Sequence, residues 1–197
     1  MKIVVTGGAG FIGSHLVDKL IEFGHDVLVL DNLSSGYISN VNSRADFIDI
    51  NLGNQKSYNN LPNERFDAIY HLASHVGQEL SFENPIYDIK SNAVSTSIIL
   101  KWCRENNISR LIFSSSVNVY GPIKNNPVDE KTPLNPKSPY AVGKIASEHL
   151  CNIYQDFGIN STIFRFLNIY GPRQDINNLN QGMASIYMAY VKKKKPI

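Results

Sequence analysis

Tyr140 and Lys144 are the residues whose types and spacing speak most directly of chemistry in this 197-residue chain. Four positions apart, a phenol and an ammonium share one face of a helix. A cation so placed favours phenolate over phenol and makes a tyrosine usable as a base near neutrality. Alone, Tyr-x-x-x-Lys is common and fits a surface pair. Here it follows a serine run, Ser114-Ser115-Ser116, whose last hydroxyl could hydrogen-bond the reacting oxygen of a substrate alcohol.

A second stretch opens the chain. Lys2-Ile3-Val4-Val5-Thr6 reads as a strand that runs into Gly7-Gly8-Ala9-Gly10-Phe11-Ile12-Gly13, and Leu16, Val17, Leu20 and Ile21 follow at helical spacing. Glycines suit such a turn because it needs positive φ angles and a bare backbone that lets a pyrophosphate reach the helix N-terminus. Both Gly8-x-Gly10-x-x-Gly13 and Gly7-x-x-Gly10-x-x-Gly13 are present, and the second is the more telling. Val27-Leu28-Val29-Leu30 then ends in Asp31, which is placed to bind both hydroxyls of an adenosine ribose and to repel a 2′-phosphate. No Arg or Lys follows in Asn32-Leu33-Ser34-Ser35-Gly36, so NAD is expected over NADP. The bland alternative is a structural turn followed by a chance strand-end acid; the order strand, glycines, helix, strand, acid argues against it.

The elements that must position these groups alternate. Further strands are expected at Asp46–Ile50, Phe66–Ala73, Arg110–Ser114 and Ser161–Phe166, with helices from Ile86 to Asn107 and from Pro139, capped by Ser138, to Phe157. The proline-rich stretch from Pro122 to Pro136 reads as an ordered loop. Alternation without an internal repeat predicts an α/β fold, a doubly wound parallel sheet with helices on both faces, as one domain over 1–197. Ligands of such sheets lie beyond the carboxyl ends of the strands, where the glycine turn, Asp31, Leu72-Ala73-Ser74, Ser114–Ser116 and Asn168 all fall.

Composition narrows the classes. At 43% hydrophobic residues the chain can bury a substantial core, and a formal charge of +2 leaves no nucleic-acid footprint. Lys192 to Lys195 read as a solvated helix end. Cys103 and Cys151 lack metal-ligand spacing, so a reduced, cytoplasmic protein without a metal is expected. There is no apolar run of membrane-spanning length. None of the five histidines has a catalytic or metal spacing. His71 reads as a packed strand-end residue, and His15, His25, His75 and His149 receive no role.

Taken together, Thr6-Gly7-x-x-Gly10-x-x-Gly13, Asp31-Asn32-Leu33, Asp49-Ile50, His71-Leu72-Ala73, Ser114-Ser115-Ser116, Tyr120-Gly121, Tyr140-x-x-x-Lys144 and Arg165-Phe166-Leu167-Asn168 resemble the extended short-chain dehydrogenase/reductases. Within them the chain is similar to the NAD-dependent sugar-nucleotide epimerases and dehydratases, over essentially its whole length. The resemblance implies Tyr140 as base, Lys144 as its partner and a holder of the nicotinamide ribose, and Ser116 as the group orienting the sugar hydroxyl. It implies pyrophosphate contacts from the backbone of Phe11 and Ile12, within the turn of Gly7, Gly10 and Gly13. Asp31, with Asn32, Ser35 and Gly36 in a loop like that of 4-epimerases, would take the adenosine ribose. Asp49 and Ile50 would flank the adenine, although Asp49 fits a solvated strand-end acid equally. Leu72, Ala73, Ser74, Ser114 and Leu167 would line the cofactor path. Asn92 matches a cofactor-side asparagine, or packs inside its helix. Asn168 matches one that contacts the substrate diphosphate. Relatives pair through the helices at 86–107 and 139–157, so a homodimer is expected.

The reaction follows from what stands before Val119-Tyr120-Gly121. Dehydratases of this family resemble Ser-Thr-Asp-Glu there, and decarboxylases keep a Glu. This chain has Val117-Asn118, and neither can serve as a general acid or base. Oxidation followed by re-reduction remains, and with it the resemblance implies epimerisation of a nucleotide sugar, expected to be a UDP-sugar at C4. A net dehydrogenase/reductase and a non-catalytic NAD-binding or dimerisation module are the competing readings. The second arises because family members add a C-terminal substrate-binding region, whereas this sequence stops at Lys195-Pro196-Ile197. Leu167 where an aromatic is usual and Ser95 where Gly is common are milder departures.

Overall fold

The computed structural model describes residues 1–75, 77–123, 127–175 and 183–192. Its strands are β1 (Lys2–Thr6), β2 (Asp26–Asp31), β3 (Asp46–Asp49), β4 (Ala68–His71), β5 (Arg110–Ser116) and β6 (Asn160–Phe166), all parallel, in the spatial order β3-β2-β1-β4-β5-β6. The helices are α1 (Phe11–Glu22), α2 (Gln78–Glu83), α3 (Pro85–Ile89), α4 (Ser95–Glu105), α5 (Pro139–Ile153) and α6 (Met183–Lys192). The sheet is wound outward in both directions from β1 and β4, so a crevice opens beyond their carboxyl ends.

Strand periodicity divides the core in two. Val4, Leu28, Leu30 and Ile69 pack with Ile98, Ile99, Leu100, Trp102, Leu111 and Phe113 on one face. Ile3, Val5, Val27 and Val29 pack with Val17, Leu20 and Ile21 of α1 on the other. Successive strand residues serve opposite layers, which is why β1 and β2 are apolar almost throughout. β6, which has one partner strand among the described residues, alternates between exposed and half-buried residues. No helix among the described residues is long and apolar enough to cross a membrane.

Three elements depart from expectation. The single helix expected at 86–107 is three pieces: α3, a π-helical turn at Lys90–Val94, and α4. Polar side chains drive the widening by bonding back to the chain. Asn92 donates to Asp88 O at 3.0 Å, Ser95 to Ser91 O at 2.7 Å and Thr96 to Asn92 O at 2.8 Å. Helix α2 lies in a stretch without an expected element, and it is too short to show a period. The α-helical part of α5 ends at Ile153, and a 3-10 turn at Tyr154–Phe157 continues it to Gly158, whose φ of +80° ends it. Of the expected basic helix end, Lys192 closes α6 and is exposed, while Lys193 to Lys195 lie outside the described residues.

Candidate active site

The turn after β1 is built from backbone. Gly7 has a φ of +71°, and a β-carbon there would stand 2.8 Å from Ala73 N. A β-carbon on Gly13 would stand 2.1 Å from Gly7 O, so α1 can begin against the turn only without a side chain at that position. Gly10 caps α1 with no side-chain bond, and no acid occupies the first turn. The amides of Phe11, Ile12 and Gly13, which helix geometry leaves without internal partners, therefore belong to a bare positive helix end that lines the cleft. Thr6 Oγ1 accepts from Leu72 N at 3.1 Å and Ala73 N at 3.0 Å, fixing the end of β4 beside this turn.

Asp31 closes β2. Its carboxylate accepts from Ala9 N at 3.0 Å and Leu33 N at 2.8 Å, and each oxygen keeps a further lone pair. Asn32, Ser35, Ile50, Leu72, Ala73, Ser74, Ser114, Leu167 and Asn168 line the same cleft. Three expected contacts do not. Gly36 lies behind Ala9, where a β-carbon would stand 2.7 Å from Ala9 C. Asp49 pairs with Asp31 across the strands and is exposed, the solvated strand-end alternative. Asn92 is buried behind Ser74, whose hydroxyl donates to it at 2.8 Å, the packing alternative.

The catalytic candidates come from β5 and α5. Ser138 caps α5 by accepting from Ala141 N at 3.2 Å, and Pro139 occupies the first turn. This start places Tyr140, 7% exposed, and Lys144, 2% exposed, on the wall facing β5. Lys144 Nζ donates to Ser114 O at 2.8 Å and lies 5.7 Å from the Tyr140 ring centre. Ser116 Oγ accepts from Asn118 N at 3.2 Å, which leaves its own proton for another oxygen.

The electrostatics correct the simple expectation of a phenol lowered by its lysine. Burial pushes Tyr140 up to about 12; the Ser116 hydroxyl pulls it down and the Asp88 carboxylate adds to the rise. Burial pushes Lys144 down to about 7, against the pull of Asp88, Glu148 and Cys151. Desolvation is the largest cause at both groups.

Sequence reasoning missed the groups that surround this pair. His75 lines the cleft with its Nδ1 3.1 Å from Asp88 Oδ1. Glu148, one turn beyond Lys144, accepts from Arg165 Nε at 3.0 Å and Nη2 at 2.7 Å and from the Ser115 hydroxyl. Arg165 in turn donates to the Tyr120 hydroxyl at 2.7 Å. Glu148 had a signal, the helical spacing from Lys144. Asp88 had only its spacing of four from Asn92. The cleft, about 530 Å³, brings the glycine turn, Asp31, Ser116, Tyr140 and Lys144 to one space, a volume ordinary for a cofactor site.

Residues 3–197 match the NAD dependent epimerase/dehydratase family. The chain is 39% identical over 198 residues to the putative UDP-glucose 4-epimerase of Methanocaldococcus jannaschii, covering 99% of this chain and 65% of that protein. Among solved structures it is similar to the UDP-glucose 4-epimerase of Thermotoga maritima with UDP-glucose (TM-score 0.92, 34% identity, 100% of this chain and 65% of that one). It is also similar to the UDP-glucose 4-epimerase of Thermus thermophilus in complex with NAD (TM-score 0.89, 34% identity, 100% and 64%). The chain thus spans about 65% of the length of these relatives.

Proposed function

The chain belongs to the NAD dependent epimerase/dehydratase family, and from that premise we propose that it acts in the epimerisation of a nucleotide sugar, a UDP-hexose at C4, through a 4-keto intermediate. One observation carries the reading. A single cleft holds both the bare helix end beside Gly7–Gly13 and the Ser116–Tyr140–Lys144 cluster, while Asn118, which lines it, offers no acid or base for elimination or decarboxylation.

The residues present suit NAD. The amides of Phe11 and Ile12 would meet the pyrophosphate, Asp31 with Asn32 and Ser35 the adenosine ribose, Ile50 the adenine, and Lys144 the nicotinamide ribose. Bound, NAD supplies a hydride acceptor that can give the hydride back to the opposite face of the sugar. Tyr140 takes the proton of the 4-hydroxyl on oxidation and returns it on reduction. Ser116, oriented by the bond it accepts from Asn118 N, keeps its own proton to donate to the same sugar oxygen and holds it beside the phenol. Asn168 meets the diphosphate. A homodimer through the helices at 86–107 and 139–157, in the cytoplasm, belongs to the same proposal; Ile86, Val142 and Ile153 stay exposed there.

The test is incubation of the chain with NAD and UDP-galactose. UDP-glucose formed without net change in nicotinamide absorbance supports the reading. Net NADH would make the protein a dehydrogenase, and NAD binding without product would make it a non-catalytic module. Tyr140→Phe is expected to lower turnover about 1000-fold with NAD affinity unchanged; normal turnover in that variant would remove the assigned base.

A further inference from the structure

Asp88 is a carboxylate that the mechanism above does not use, yet it is fully buried, at 0% exposure. It sits on α3, immediately before the π-helical turn, a local irregularity common at functional sites. Its two oxygens differ. Oδ1 accepts from His75 Nδ1 at 3.1 Å, which leaves Nε2 as the nitrogen that an imidazole lining the cleft can offer a ligand. The ring is steadied from the other side by an edge contact with Tyr87, centre to centre 5.0 Å. Oδ2 is buried and accepts no hydrogen bond among the described residues. It lies against α5 at Gly143, where a β-carbon would stand only 3.6 Å from it. Gly143 is the residue just before Lys144 and three beyond Tyr140.

A buried carboxylate oxygen left unpaired is costly, and its retention calls for a reason. We propose that Asp88 is a positioning residue of the active site, whose two oxygens couple the cleft imidazole of His75 to the turn of α5 that carries Tyr140 and Lys144. The field of Oδ2 acts on both members of the acid–base pair, holding the proton on each, in line with the directions in which Asp88 moves them. The charged and titratable groups facing the pair are few. His75 and Asp88 stand on one side, Glu148 and Cys151 act on Lys144 from further along α5, and the buried His71 of β4 feels Lys144 from the sheet. A ligand that bonds His75 changes how strongly Oδ1 is held, and so changes the field at Lys144. The arrangement lets occupancy of the cleft be felt by the base before any proton moves.

The inference rests on the acid–base reading of Tyr140 and Lys144 for its catalytic meaning, but its test needs no sugar. Lys144 and Tyr140 would be titrated by NMR in the full chain, with signals assigned through Lys144→Met and Tyr140→Phe. Asp88→Asn, nearly isosteric, is expected to move both titrations down by about one pH unit. His75→Ala strips the bond from Oδ1, concentrates charge on the carboxylate and is expected to move both up, by about half a unit. The opposed shifts mark coupling. A residue serving structure alone would lower the unfolding temperature and leave both titrations in place, and that result, or shifts of the same sign in the two variants, overturns the proposal. His75 is partly exposed, so its variant reads the coupling even where Asp88→Asn does not fold. Opposed shifts in a chain without sugar turnover support this inference while ending the epimerase reading.

Discussion

The two halves of the cleft are built from different materials. On the side of β1, β2 and β3, contacts are made by backbone: glycines at Gly7 and Gly13, helix amides with no side-chain cap, and Asp31 held by two main-chain N–H groups. On the side of β5 and α5 the wall carries the buried ionisable side chains Tyr140 and Lys144, with the buried carboxylates Asp88 of α3 and Glu148 acting on them from outside the lining. Backbone dipoles give a fixed potential that pH does not alter, which suits a nucleotide that must stay bound. Burial moves the proton affinities of Tyr140 and Lys144 away from their usual values, up for the phenol and down for the ammonium, which suits a step that moves a proton.

The charged side should be the more fragile when one partner is removed. Glu148→Ala deletes the carboxylate that Arg165 grips with two N–H groups and leaves the guanidinium, 19% exposed at its side chain, without its partner. A loss of about 3 kcal/mol in unfolding free energy is expected, read from a urea titration. A loss below about 0.5 kcal/mol would mean that the network is solvated and the contrast between the halves is overstated.

The backbone side breaks through sterics instead. Gly13→Ala places a β-carbon 2.1 Å from Gly7 O; the β-carbon is fixed to its Cα and the oxygen is main chain, so neither can swing away. Overpacking of this kind costs about 2 kcal/mol. Because the displaced atoms belong to the turn before α1, NAD affinity should fall by about tenfold or more alongside the unfolding midpoint. Unchanged affinity by calorimetry would show that the cradle lies elsewhere.

The same contrast explains what was legible in the residues. The glycine turn, β2 and Asp31 lie within thirty-one residues of the start and obey local rules, strand period, turn chemistry and helix start, so their order could be read directly. Tyr140, Lys144 and Ser116 were readable from helical spacing and a strand end. Asp88 and His75 were not, because their meaning comes from a contact between α3 and the loop after β4, and then from the approach of α3 to α5, neither of which leaves a local pattern. The break of 86–107 into α3, a π-helical turn and α4 was hidden for a related reason. Apolar period alone describes the buried face, while Ser95, Thr96 and Asn92, which widen the helix, sit among it as ordinary polar residues. The direction of the Tyr140 shift was misread because spacing reveals the neighbouring cation but not the depth of burial.

His71 joins the two halves, and its titration tests whether they are coupled through the core. Thr6 Oγ1 accepts from two amides, so its own proton goes to His71 Nδ1 at 2.8 Å; Nε2–H then donates to Thr96 Oγ1 at 3.2 Å on the α4 side. A second ring proton would have to stand on Nδ1, facing the Thr6 proton with nothing to accept it. Burial, with Lys144 adding to it, accordingly pushes His71 down to about 3 from 6.5. The sign follows. Between those values the unfolded chain binds a proton that the folded chain refuses, so stability is full above the unfolded value and falls as pH drops through the window. The slope approaches ~1.4 kcal/mol per pH unit, so acidifying from about pH 6 to about pH 5 should cost about 1 kcal/mol from this residue alone. Urea titrations of the parent and His71→Asn at those two pH values isolate it from the carboxylates. Equal acid losses in both chains would mean that the folded chain does not refuse the imidazole proton, and that the Thr6–His71–Thr96 link does not couple the glycine turn to the α4 side.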